Sequence, residues 1–264
     1  MSTVVVATSA ADAQAVEAVK DHHARLAGAL AVQVENLVDA ASRGDLRGAP
    51  AASDALVEWC HTELIPHALA EEDTMYPAAR EDPRARLLVE AMLAEHRDLI
   101  VLVAAIENAT APVRAAANAQ ALRSLFDSHL AKENEQILPL LAESSEVSLA
   151  EVLGGMHQLL GGHDHRVSAE ADAEGGCDGE CGCGEQDPIG VLPELDARAV
   201  PHAIRHATIF GALDSVGAGG GMVLVAPHDP LPLLIQLEQR SPGLFSIDYL
   251  ERGPEAWRIR FVRA

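Results

Sequence analysis

Aromatic side chains are scarce in this chain: phenylalanine, tryptophan and tyrosine together make up 3% of 264 residues. Alanine, valine and leucine must do most of the packing, which suits helices lying close side by side. Cysteine is scarce too. Three of the four, Cys177, Cys181 and Cys183, are bunched in one short stretch, which is not the pattern of a secreted disulfide framework. Long apolar runs are missing. The most apolar segment, residues 99–106, is far below the roughly 20 residues a membrane-spanning helix needs. The opening MSTVVVATSAADA has no basic lead and too short an apolar run for a signal peptide. A cytoplasmic protein with no membrane partner is expected. Positive charge is also in short supply. The formal net charge is −21, yet after residue 187 eight acids face seven arginines, so the excess lies in the first 187 residues. A surface that acidic repels phosphate backbones, and no nucleic-acid partner is expected.

The length leaves room for two domains. Four long stretches have helical periodicity. The first, about 11–42, has the apolar seam Val16, Val19, His23, Leu26, Leu30, Val34, Leu37. The second is expected to start after Ser53-Asp54, a suitable N-cap. The third starts near Pro83 with the seam Val89, Met92, His96, Leu99, Val103, Ile106. The fourth follows Ala111-Pro112 with the seam Leu122, Phe126, His129, Glu133, Ile137, Leu140. Short connections fit an all-α, up-down four-helix bundle over 11–145, with an extra helix at 146–160. Residues 161–187, rich in glycine and acids, read as a flexible, Cys-rich linker. Residues 188–264 change pattern again. Strand, helix, strand, helix and a hairpin across Arg252-Gly253-Pro254 predict a small α+β two-layer sandwich in the order βαβαββ.

Two segments of the bundle echo one another. HALAEEDTMYP, from His67, and HLAKENEQILP, from His129, each place a glutamate four residues and a proline ten residues after the histidine. Residues four apart share a helix face. His67 with Glu71, and His129 with Glu133, therefore point along seams that face the bundle interior. A buried ionised glutamate is costly unless something compensates it. The other two helices add one seam histidine each, His23 and His96, both in the form His-x-x-Leu. The set reads as a doubled unit with four terminal imidazoles and two carboxylates able to bridge a pair of metal ions. Mixed imidazole and carboxylate ligation with open positions is typical of iron.

With those residues in place, the segment from about 12 to 142 resembles the hemerythrin-like (HHE cation-binding) domains. The resemblance implies a four-helix bundle around two non-haem iron ions, a di-iron centre, held by His23, His67, Glu71, His96, His129 and Glu133. It also implies binding of, or reaction with, dioxygen, nitric oxide or peroxide. Two positions depart from the invertebrate oxygen carriers. Ile100 stands where those carriers place a histidine four residues after the equivalent of His96. Glu133 stands four residues after the last histidine, with Asn134 where they have an aspartate. The pattern fits better the bacterial branch linked to nitric oxide, oxidative stress and repair of iron–sulfur centres. Two further readings are a di-iron redox or gas sensor that reaches a protein partner through 188–264, and an iron store or donor aided by the linker cysteines.

Other residues have plainer readings. His22 lies about 100° round the helix from His23, off the seam. His61 is expected at the surface, with a ligand role as the alternative; Cys60 as a small buried core residue, with a redox role near the metals as the alternative; Glu72 outside the ligand set; and Tyr76 in packing, with its hydroxyl reaching a partner beside the ligands as the alternative. Cys177, Cys181 and Cys183 would bind a soft metal only in a spacing that matches no zinc framework. Residues 195–263 resemble a small domain of uncharacterised function often joined to hemerythrin-like domains, through LDAR at Leu195, PHAIRHATIF at Pro201, HDP at His228 and YLERGPEAW at Tyr249. They are distantly similar to the TusA-type sulfur carriers. Those carriers hold sulfur on a cysteine before a helix-starting proline, and here that pair is Val200-Pro201. Sulfur carriage is not expected. His202, His206 and His228 are expected to be ordinary surface histidines, with a shared metal site as the alternative.

Overall fold

The computed structural model describes residues 7, 9–144, 147–152, 154, 192–200 and 205–264. The expected linker, with its three cysteines, lies outside the described residues, as do His202 and most of the expected helix at 146–160.

Helix α1 spans Ala10–Ser42. The Ser9 hydroxyl oxygen accepts from the Asp12 N–H at 3.0 Å, which satisfies a first-turn donor. Its far end closes on Gly44 at φ +68°, where Gly44 N–H donates to the Ala41 carbonyl and Asp45 N–H to the Ala40 carbonyl. This is the paired reverse bonding that a left-handed residue allows. Helix α2, Gly48–Trp59, begins before the expected Ser53-Asp54 cap. The Asp45 carboxylate already accepts from the Arg47 and Gly48 N–H groups at 3.0 and 2.8 Å, so the start signal lies upstream. A wide π turn, Cys60–Leu64, leads into α3, Ile65–Asp73, and a break at Thr74 leads into α4, Met75–Arg80. Helix α5, Arg86–Glu107, starts just after Pro83, which sits in a turn closed by the Ala85 N–H to Asp82 carbonyl bond. Helix α6, Pro112–Lys132, runs through a second π turn, Glu133–Ile137, into α7, Leu138–Ala142. Helix α1 packs beside α2 and α6, and α5 beside α6 and α2.

The bundle core is split. One apolar cluster holds Val16, Val19, Met75, Val89, Met92 and Leu141. The other holds Leu30, Leu37, Leu64, Leu99, Leu122 and Phe126. On every long helix the seam crosses from one cluster to the other through a polar layer. That layer contains His23, His67, Glu71, His96, His129 and Glu133.

The C-terminal domain is a four-stranded sheet in the order β1-β2-β4-β3: β1 (Glu194–Asp196), β2 (Gly221–Ala226), β3 (Phe245–Arg252) and β4 (Trp257–Arg263). Strand β1 is parallel to β2, and the remaining pairs are antiparallel. Helices α8 (Arg205–Asp214) and α9 (Leu231–Arg240) bury Ile209, Leu213, Leu233 and Leu237 with Leu224, Ile259 and Phe261. The small two-layer arrangement expected from the sequence is present. Val32, from α1 of the bundle, belongs to the same cluster. Two glycines permit this approach. A Cβ at Gly28 of α1 would collide with the Thr208 carbonyl, and one at Gly211 of α8 would collide with the Arg25 backbone.

Candidate metal centre

The π turns position the echo residues. Each ends just before a proline: Cys60–Leu64 with Pro66, and Glu133–Ile137 with Pro139. Proline has no N–H, and its ring crowds the carbonyl four residues back. Widening the turn relieves that clash, so Ile65 N–H donates to Cys60 and Leu138 N–H donates to Glu133, each five residues back. His67 follows the first wide turn, and Glu133 opens the second.

All six residues singled out from the sequence come together, each 1% exposed or less. They form two overlapping groups. His23, His67, Glu71 and Glu133 make one; Glu71, His96, His129 and Glu133 make the other. Within each group the possible ligand atoms lie within 4.8 Å of one another. The imidazoles of each group come from one half of the bundle, and both carboxylates belong to both groups. In the first group, His67 Nε2 is 3.0 Å and His23 Nε2 is 3.3 Å from Glu71 Oε1. In the second, His96 Nε2 lies 3.0 Å from His129 Nε2 and 3.6 Å from Glu71 Oε2.

Three imidazoles are held from behind through Nδ1, leaving Nε2 aimed inward. His23 Nδ1 bonds Asn134 Oδ1 at 2.9 Å, His96 Nδ1 bonds Glu72 at 2.9 Å, and His129 Nδ1 bonds Glu95 at 3.0 Å. Lys132 pairs with Glu95 in turn. Backing of this kind fixes the ring and raises the basicity of the inner nitrogen.

Burial opposes charge on Glu71, but the nearby His67 imidazole, the hydrogen bond to His23 and the His96 imidazole hold its carboxyl well below the usual range. Burial likewise works against His23 and His96. The Glu71 carboxylate, with Glu133, outweighs it and raises both imidazoles. Despite these charges, Glu71 Oε2, Glu133 Oε2 and both nitrogens of His67 have no hydrogen-bond partner. His67 Nε2 lies close to Glu71 but is not aligned to bond it. Unpaired buried polar atoms are expensive, and here they converge from two directions. A cation within each group would take up the two carboxylate oxygens and one His67 nitrogen, so the donor set fits a pair of metal ions.

One residue differs from its preferred sequence reading. Tyr76, expected in packing, places its hydroxyl in the centre. It donates to Glu133 Oε1 at 2.6 Å and lies 3.2 Å from the Nε2 atoms of both His96 and His129. On an unbroken helix it would sit about 140° round from Glu71. The break at Thr74, whose hydroxyl bonds the Ala70 carbonyl at 2.6 Å, resets that angle. Burial, with the Glu133 and Glu71 carboxylates, pushes the phenol upward, so it is neutral without a cation. His22, read as off the seam, belongs to neither group and lies edge-on against His67 with ring centroids 4.9 Å apart. Burial, with the His67 and His23 charges, lowers it to about 3.

Other expectations concern residues around the centre. Glu72 contacts a candidate ligand from outside, His61 is exposed, and Cys60 is buried, its thiol pushed up to about 12 by burial. Among the described residues, the C-terminal domain contributes no third cluster of metal-ligating side chains. His206 and His228 are exposed. No described helix is long and apolar enough to cross a membrane.

A four-helix bundle with a buried layer of histidine and glutamate defines a class: helical bundles whose interior is built to suit cations. The comparison with known families agrees. Residues 14–141 match the Hemerythrin HHE cation binding domain, and residues 194–263 match Uncharacterized conserved protein (DUF2249). The chain thus carries a hemerythrin HHE cation-binding domain followed by a domain of the DUF2249 family. No curated protein and no solved structure matches it.

Proposed function

We propose that the bundle holds two non-haem iron ions and binds or reacts with dioxygen, nitric oxide or peroxide, in a stress response or in repair of iron–sulfur centres. One observation carries the reading: two fully buried sets of four donors that share Glu71 and Glu133. His23 and His67 would be the terminal nitrogens of one ion, and His96 and His129 those of the other. Glu71 and Glu133 would bridge. Bound iron would supply redox chemistry and positions open to a small molecule. The chain's own contribution is to orient the imidazoles through Asn134, Glu72 and Glu95, and to exclude bulk water with the apolar clusters on either side.

The test is metal content and the visible spectrum after anaerobic loading with ferrous iron, followed by exposure to dioxygen and, separately, to nitric oxide. About two irons per chain, with a spectrum that changes with the gas, is the expected result. His67→Ala should weaken one ion, and Glu133→Ala both. Zinc in place of iron, or unchanged binding in both variants, would defeat the reading. A second reading, a sensor that signals through the C-terminal domain, is favoured by the seating of α8 on α1 at Gly28, five residues from His23. Gly211→Val, which would separate the two, is the variant that tests it.

A further inference from the structure

The two halves of the centre are not equivalent. The His23/His67 group offers four donors, and no further histidine, cysteine or carboxylate joins it among the described residues. The His96/His129 group has a hydroxyl in its midst. Tyr76 Oη stands 2.6 Å from Glu133 Oε1 and 3.2 Å from each of the two Nε2 atoms, which are themselves 3.0 Å apart. Metal–nitrogen bonds of about 2.1 Å at right angles put neighbouring donor atoms about 3 Å apart. The hydroxyl therefore has the spacing of one more donor round the same ion. It is not a bystander to the carboxylate either, because in bonding Glu133 Oε1 it occupies an oxygen that an ion would claim.

From this geometry we infer that Tyr76 is a further oxygen ligand on the His96/His129 side, so that the position open to a small molecule lies on the His23/His67 side. The inference rests on the two-iron reading above. On coordination the phenol O–H gives its proton to solvent, the oxygen binds the ion, and Glu133 Oε1 is released from its hydrogen bond. No electron moves in that step.

The experiment uses the full chain, loaded anaerobically with ferrous iron and oxidised by ferricyanide. Resonance Raman spectra excited in the visible should show the ring modes of an iron-bound phenolate. Tyr76→Phe should keep about two irons and lose those modes with the charge-transfer absorption. The chain has only two tyrosines, and the other, Tyr249, lies in the C-terminal sheet. Retention of the modes in Tyr249→Phe assigns them to Tyr76 even if Tyr76→Phe fails to fold. Azide as a probe should bind at about one per chain in the native protein and about two in Tyr76→Phe. Two irons without phenolate modes, or modes that survive in Tyr76→Phe, would overturn the ligand. Two azides on the native protein would overturn the placement of the open position. Failure of the native protein to take iron is a different result: it ends the two-iron reading, and this inference with it.

Discussion

His129 is held by Glu95, which Lys132 steadies; His96 by Glu72; His23 by Asn134. Replacing such a backing group leaves the ligand in place but lets its ring turn. Removal typically weakens metal binding by about 10- to 100-fold. Glu95→Gln and Glu72→Gln are each expected to weaken one ion by that order, measured by competition with a chelator, with helical content unchanged. At this scale the sequence was informative about the ligand candidates and poor about their supports. His67 with Glu71, and His129 with Glu133, announce themselves because four-residue spacing on one helix is a local property. Asn134 read only as a departure from a pattern, although it holds a histidine on α1, 111 residues away. Tyr76 read first as packing for a similar reason. Its place depends on a break in the helix at Thr74 that the apolar periodicity does not register.

Among elements, the seams of the first, third and fourth long helices were legible because their inward residues recur at a spacing of three and four, and so was the order of strands and helices in the C-terminal domain. The π turns were not. Their signal, Glu-Leu-Ile-Pro at 63–66 and Gln-Ile-Leu-Pro at 136–139, is a second echo in the same helices. It follows from what proline cannot donate, whereas hydrophobic spacing measures only which face is apolar. The contact between α1 and α8 was equally hidden, since Gly28 and Gly211 carry no periodic signal. Gly211→Val would push the two backbones apart. Overpacking of this kind costs about 1–3 kcal/mol. The expected outcome is a lower melting temperature and faster release of the C-terminal domain by a protease. If the sensor reading holds, hydrogen exchange at residues 205–214 should differ between the ferrous and ferric native protein, and Gly211→Val should erase the difference.

On the scale of the whole molecule, the strongly acidic charge of the first 187 residues was plain from composition and sits on the part that carries the candidate cation site. An ion that binds the native state alone stabilises it by about 2.7 kcal/mol at a hundredfold excess over its dissociation constant. The loaded protein should therefore melt higher than the stripped one, with the gain reversed by a chelator. The divided core adds a consequence of its own for cooperativity. Two apolar clusters separated by a floor of imidazoles and carboxylates share few contacts through which one can hold the other folded. A pair of ions held there, as proposed, would make that floor a joint tying all four long helices at one level. Without them it would be the weakest plane in the bundle. Calorimetry of the metal-free chain should show a broadened or stepped transition, with a van't Hoff enthalpy below the calorimetric one, that sharpens on loading with the proposed iron. A single sharp transition in both states would mean that the two clusters are bound together by helix continuity alone.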